Sequence, residues 1–240
     1  MKKILIAAFL VLLPMICPSA RAAEVPTGII VASEEWEDAT NKDGTGLYWD
    51  ILRAVYEPLG IKLEYMIRSY NGAVNLAKSR KVDAAVGSYI NEVDDVLYPS
   101  HSFDQDVVAV VFKNGKCAQW QGRESLRGKT VAWIKGYSYE EYLKVPVVKH
   151  EFSEREDILR ALENDRIDFF MDAQADIEPL LENGSIDAAR YRMETVMELD
   201  LYFIFADNER GMKFKEIFDE QFPALAASGE LQKLLEKWNW

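Results

Sequence analysis

Apolar positions along this chain fall into two rhythms. Leu47, Ile51, Leu52, Val55 and Leu59 recur at helical spacing, opened by Gly46 and closed by Gly60. The spacing predicts an amphipathic helix there. Leu231, Leu234, Leu235 and Trp238 form a second such stripe near the end. Other apolar runs are short and unbroken: Thr27 to Ser33, Val107 to Phe112, Thr130 to Ile134, Phe169 to Asp172 and Leu201 to Ala206. Runs of that kind suit strands covered on both faces. Lys62 to Ile67, Val147 to His150 and Tyr191 to Val196 are also expected as strands. Asn71 to Ser79, Tyr139 to Leu143, Glu154 to Glu163 and Ala175 to Glu182 are expected as helices, the last closed by Asn183-Gly184. Asn91 to Asp106 is polar and reads as a loop.

One pattern occurs twice. Leu76 to Ser88 runs from a helix end through Lys81-Val82-Asp83 into an apolar strand that stops at Gly87-Ser88. Ala161 to Asp172 repeats it, with Arg166-Ile167-Asp168 leading to Met171-Asp172. Two α/β units of one kind predict two similar lobes, with the two corner strands in separate sheets. Their carboxyl ends should open on a shared crevice, where open α/β sheets bind ligands.

The first residues carry a different signal. Met1-Lys2-Lys3 is basic, Ile4 to Ile16 is apolar apart from Pro14, and Ala20-Arg21-Ala22 fits a small-x-small cleavage site. This predicts a signal peptide over residues 1–22 and export to the periplasm. The chain has 28 basic and 40 acidic residues, a net charge of -12. Loss of Lys2, Lys3 and Arg21 with the leader leaves 25 against 40, a net charge of -15. Such a surface argues against nucleic acid as a partner. Cys117 is then the one remaining thiol, which excludes an internal disulfide. His101 and His150 have no Cys or His at ligand spacing, so neither a metal site nor a cofactor is expected. No Gly-x-Ser-x-Gly, phosphate-binding loop or His-Glu-x-x-His is present. Glu34-Glu35 and Asp94-Asp95 are adjacent in sequence and do not form a placed acid–base pair, so no catalytic residue is assigned.

The order and spacing of several motifs resemble the bacterial extracellular solute-binding proteins of family 3, the amino-acid-type receptors of ABC importers. The resemblance rests on Gly46 to Leu52, Ser69-Tyr70-Asn71-Gly72, Lys81 to Ala84, Leu126 to Val131, Gly136-Tyr137-Ser138, Arg166-Ile167-Asp168 with Asp172, and Ala227 to Leu231 with Lys237-Trp238. It implies an α/β fold of the periplasmic binding protein type II kind, two lobes joined by two crossover strands. The lobes are expected at 23–112 with 201–240, and at 113–200. The resemblance further implies a monomeric, non-enzymatic receptor. Such a receptor closes on a small polar solute, amino-acid-like or amine-bearing, and delivers it to an ABC permease. A sensor that presents solute to a membrane receptor, or a periplasmic dehydratase on the same fold, is the alternative.

The same resemblance suggests ligand contacts. Trp36 is the aromatic nearest the first strand end, and Tyr70 is the aromatic of the Ser-Tyr-x-Gly turn. Ser88 and Tyr89 follow the first corner strand, and Ser138 opens a helix. Asp172 matches the acidic residue that usually holds a ligand's α-amino group. One departure bears on the solute. Family members that bind amino acids usually carry Thr-x-Glu-Arg after the first-lobe strand, whose Arg clamps the α-carboxylate. Here Ile90 to Asp95 holds no Arg. Arg68 is the candidate substitute, and a cationic or uncharged solute competes with an amino acid.

Overall fold

The computed structural model describes residues 26–182 and 187–240. The leader expected at 1–22 lies outside them, as do Asn183 and Gly184. In chain order the elements are β1 (Gly28–Ser33), α1 (Leu47–Tyr56), β2 (Lys62–Ile67), α2 (Tyr70–Lys78), β3 (Ala84–Tyr89), β4 (Val96–Leu97) and β5 (Asp104–Lys113). They continue with β6 (Thr130–Ile134), α3 (Tyr139–Leu143), β7 (Val148–Phe152), α4 (Arg155–Glu163), β8 (Phe169–Ala173), α5 (Gln174–Glu182), β9 (Tyr191–Ala206), α6 (Glu209–Ala227) and α7 (Glu230–Trp238).

The strands form one curled mixed sheet in the order β2-β1-β3-β9-β5-β8-β6-β7, with β4 beside β9. Each end of that path is a parallel trio, β2-β1-β3 and β7-β6-β8. The trios are joined by β5 and β9, which pair antiparallel along their length. β3 and β8 therefore lie in one continuous sheet, not in two separate sheets as expected. The expected lobe boundaries at 112/113 and 200/201 fall inside β5 and β9, which carry the hydrogen-bond ladder from one half to the other.

β9 is also one strand of 16 residues where two shorter ones were expected. Its middle, Met197 to Asp200, alternates buried Met197 with exposed Glu198 and Asp200 and stays paired with Gln105 to Val108. Acidic residues on the open face of a strand leave its ladder intact. The same alternation starts β5 at Asp104, inside the stretch read as a loop.

The repeated corner has a direct physical reason. Asp83 Oδ2 accepts the Ile30 amide of β1 at 2.8 Å, and Asp168 Oδ2 accepts the Thr130 amide of β6 at 3.1 Å. Backbone bonds from the Asp83 amide to Ile30 O and from the Asp168 amide to Thr130 O close both corners, at 2.8 and 2.9 Å. Each carboxylate thus fixes the register of a strand at the start of the neighbouring central strand.

Alternate residues of the central strands face different cores. Val108, Val110, Phe112, Val131, Trp133, Phe169 and Met171 join one cluster that also takes in α1 and α6. Ala109, Val111, Ala132, Ile134 and Phe170 join a second cluster, with α4. Ala32 and Ala85 face a third, with α2. Burial on both faces accounts for the unbroken apolar runs. The α7 stripe of Leu231, Leu234, Leu235 and Trp238 packs against the first cluster.

Candidate functional site

The carboxyl ends of β1, β3, β6 and β8 meet at one place, and a cavity of about 260 Å³ lies there. Trp36, from the turn after β1, forms part of its wall together with Tyr70, Gly87 and Tyr89. Tyr137, Tyr139, Ala173 and Asp176 close it from the other half of the sheet. Tyr70 meets Tyr137 edge-on with ring centroids 5.6 Å apart, and Tyr89 lies 5.5 Å from Tyr142. The halves also touch through hydrogen bonds, Asn71 Nδ2 to Lys135 O at 3.0 Å and Tyr142 Oη to Ile90 O at 3.2 Å.

Local sequence explains the placement of these rings. Gly87 has φ +89°, and a Cβ built on it would lie 2.5 Å from the Trp36 ring. Glycine is needed there both for its backbone conformation and to let the indole lie against the strand. Tyr70 opens α2, whose N-cap Ser69 accepts from the Gly72 amide. The Tyr70 amide donates to Glu34 Oε2 at 2.9 Å, and its hydroxyl to Glu92 Oε2 at 2.6 Å.

The other polar groups of the wall are carboxylates. Glu92 Oε2 also accepts from Ser88 Oγ and the Tyr89 amide, each at 3.0 Å. Asp106, on β5, accepts the Tyr89 hydroxyl at 2.8 Å. Burial raises the Asp106 pKa, the Tyr89 bond lowers it, and the negative charges of Asp104, Asp172 and Glu92 raise it again, leaving it at about 7. Asp176 sits in the first turn of α5 and is raised by burial and by the neighbouring Asp172, against the pull of Arg155. Glu92 is raised chiefly by burial, and its hydrogen bonds oppose the shift.

Residues 31–240 match the sequence pattern of the bacterial extracellular solute-binding proteins, family 3. The chain belongs to that family. It is thus a solute-binding protein of an amino-acid-type ABC transporter family. Among its relatives is PatH of Vibrio harveyi, provisionally named an amino-acid ABC transporter-binding protein. PatH is 24% identical over 190 residues, which are 74% of this chain and 73% of PatH. The ligand-binding core of GluR0, in complex with L-glutamate, has a TM-score of 0.71 at 13% identity and covers 88% of this chain and 97% of its own. An ancestral arginine-binding protein bound to glutamine has a TM-score of 0.69 at 19% identity, over 90% of this chain and 99% of its own. These two likenesses carry the fold, which is that of the type II periplasmic binding proteins.

Against that family pattern, the expected contacts divide. Trp36, Tyr70 and Tyr89 line the cavity. Ser88 does not: it is wholly buried behind the wall, where Oγ bonds Glu92 and the Tyr98 hydroxyl at 3.0 and 2.9 Å. Ser138 opens on a separate polar crevice of about 250 Å³ beside α2. Asp172 is also absent from the wall. It is wholly buried, and its Oδ2 accepts Arg155 Nε at 2.8 Å. Its Oδ1 accepts the Ala173 amide at 2.9 Å. The partner expected from a ligand is supplied by the protein itself. Arg68 is exposed, and its guanidinium donates to the Ile67 carbonyl at 2.6 Å. It does not line the cavity and so does not replace the missing Arg.

Sequence reasoning missed Tyr48, Asp106, Tyr137, Tyr139, Asp176 and Trp240. Tyr48 Oη and Trp240 Nε1 both donate to Asp104 Oδ2, at 2.7 and 2.8 Å, and both rings line the cavity. The Gly136-Tyr137-Ser138 motif did mark the right place, but its neighbouring tyrosines face the cavity and its serine does not. Asp104 and Asp106 alternate with Val108 on one face of β5, a signal hidden by reading that stretch as a loop.

Proposed function

We propose that this protein captures a small polar, amine-bearing solute in the cavity between the two halves of its sheet and delivers it to an ABC permease. The lobes are residues 23–112 with 201–240, and residues 113–200. The observation that carries the reading is the cavity itself, walled from both halves by Trp36, Tyr70 and Tyr89 on one side and Tyr137, Tyr139 and Asp176 on the other. A solute there touches both lobes only when they are together. Its binding free energy therefore differs between open and closed forms, and that difference drives closure. The family's extracellular setting, together with the leader expected at 1–22, supports a periplasmic receptor, and we take it to act as a monomer.

A dehydratase is the less favoured reading. Acids of the prephenate kind carry two negative charges, and the wall offers them Glu92, Asp106 and Asp176. In the binding reading the cavity carboxylates serve as countercharges to the solute, and no catalytic residue is proposed. Native mass spectrometry of the protein as purified, and again after unfolding and refolding, tests the function. A small-molecule adduct present before refolding, lost after it and regained on adding the released material is the expected outcome. Identical masses before and after, with no shift in melting temperature on adding periplasmic extract, would overturn it.

A further inference from the structure

Among the described residues, no Lys, Arg or His lines the main cavity. The nearest guanidinium, Arg155, opens α4 and is engaged by two carboxylates. Its Nε donates to Asp172 at 2.8 Å, and one Nη to Asp176 at 2.6 Å. The Ala173 amide, at the end of β8 just before α5, is taken by Asp172. A ligand carboxylate in this space would meet Glu92, Asp106 and Asp176 with no cation to answer it. Like charges brought together in a space that excludes water repel strongly. A ligand ammonium meets the opposite situation. Asp106 Oδ1 and Asp176 Oδ1 accept no hydrogen bond from a described residue; Asp106, on the linking strand β5, is held by Tyr89 of the first half, while Asp176 lies on α5 of the second. The faces and edges of Trp36, Tyr70, Tyr89 and Tyr137 surround the same space, and aromatic faces attract cations. At about 260 Å³ the cavity exceeds the roughly 150 Å³ that admits a benzene molecule.

We infer that the solute is a small organic ammonium without a carboxylate, its positive group seated between Asp106 and Asp176 and its body held by the aromatic wall. This names the solute class for the binding role proposed above and rests on that role. Recognition is by charge and π-contact from both lobes, so the cation draws the two acidic walls together on closure.

Calorimetric titration of matched pairs tests it: tyramine against tyrosine, agmatine against arginine, putrescine against ornithine, and choline against betaine. At least one amine should bind, and each amine that binds should do so at least tenfold more tightly than its carboxylate-bearing partner. Asp106→Asn and Asp176→Asn should each weaken that amine at least tenfold while the protein still melts cooperatively. A carboxylate-bearing member that binds as tightly as its amine would overturn the inference and leave the solute-binding role standing. Binding of neither series would overturn the inference too. The role itself would then fall only if the mass-spectrometric test also failed. If the Asn variants do not melt cooperatively, the matched-pair ratios of the unaltered protein decide alone.

Discussion

Arg155 and Asp172 form an ion pair, Nε to Oδ2 at 2.8 Å, in which the carboxylate is wholly buried and the guanidinium side chain is 20% exposed. Burial raises the Asp172 pKa, and the charge and hydrogen bond of Arg155 pull it back. The pair lies behind the second-lobe wall and positions Asp176, which shares the same guanidinium. Removing Arg155 leaves Asp172 buried without a countercharge. Arg155→Met should cost about 3–5 kcal/mol of stability, read by urea unfolding. Arg155→Met with Asp172→Leu should recover most of that loss, because an apolar pair of similar volume needs no countercharge. A double variant no more stable than the single one would contradict the pairing.

The Trp36 indole lies against Gly87 in the first-lobe wall, where a side chain would have no room. Gly87→Ala puts a Cβ where the indole now lies and forces a left-handed backbone on an alanine. The backbone term alone costs about 1–2 kcal/mol. Solute affinity should fall at least tenfold, since the displaced ring narrows the cavity. Tryptophan fluorescence on titration and a thermal melt check both effects. Unchanged affinity would remove Trp36 from the binding wall.

The corner aspartates were legible in the sequence, and so was most of the fold. Val82-Asp83 and Ile167-Asp168 stood out because a single geometric need, accepting an amide near the start of the adjacent central strand, wrote the same residues twice. Trp36, Tyr70 and Tyr89, expected as ligand contacts, line the cavity because each lies beside a strand's carboxyl end. Asp172 was not legible as a buried ion-pair member, because its partner Arg155 lies 17 residues away on α4 and only packing brings them together. Asp106 was hidden by the polar composition of Asn91 to Asp106. The length of β5 and β9 was obscured for the same reason: their outward acidic residues imitate loop chemistry while their ladder continues.

Asp83→Ala removes the acceptor of the Ile30 amide and a partner of Arg210. An unsatisfied buried amide costs about 1–3 kcal/mol. The first half should loosen more than the second, so hydrogen exchange should accelerate across β1 and β3 before β6 and β8. Uniform acceleration across all four strands would contradict a local corner role.

The pH dependence follows from Asp106. Its pKa is raised to about 7 by burial and by the surrounding Asp104, Asp172 and Glu92, while Tyr89 opposes the rise. Between about 4 and about 7 the folded protein therefore holds a proton that the unfolded chain has lost. Asp106 thus contributes stability that declines as pH rises through this window. Cation binding has the opposite slope, because the ionised carboxylate is the form that attracts an ammonium. Choline keeps its charge at every pH, so only the protein titrates. Asp176 is raised to about 7 as well, so if choline binds, its affinity should rise with pH by between about tenfold and about a hundredfold per unit below about pH 7 and level off above it. In Asp106→Asn the slope should shrink. Affinity that falls with rising pH would contradict the assignment of Asp106.

Capture by closure is tested most directly by small-angle X-ray scattering of the protein with and without its solute, under conditions where calorimetry shows the site filled. Hydrogen bonds from Asn71 to Lys135 O and from Tyr142 to Ile90 O join the two halves, and lobe opening would break them. The solute should therefore reduce the radius of gyration. Tyr142→Phe, which loses one of those bonds, should contract as well but need more solute. Identical scattering curves for empty and saturated protein would contradict capture between two closing lobes.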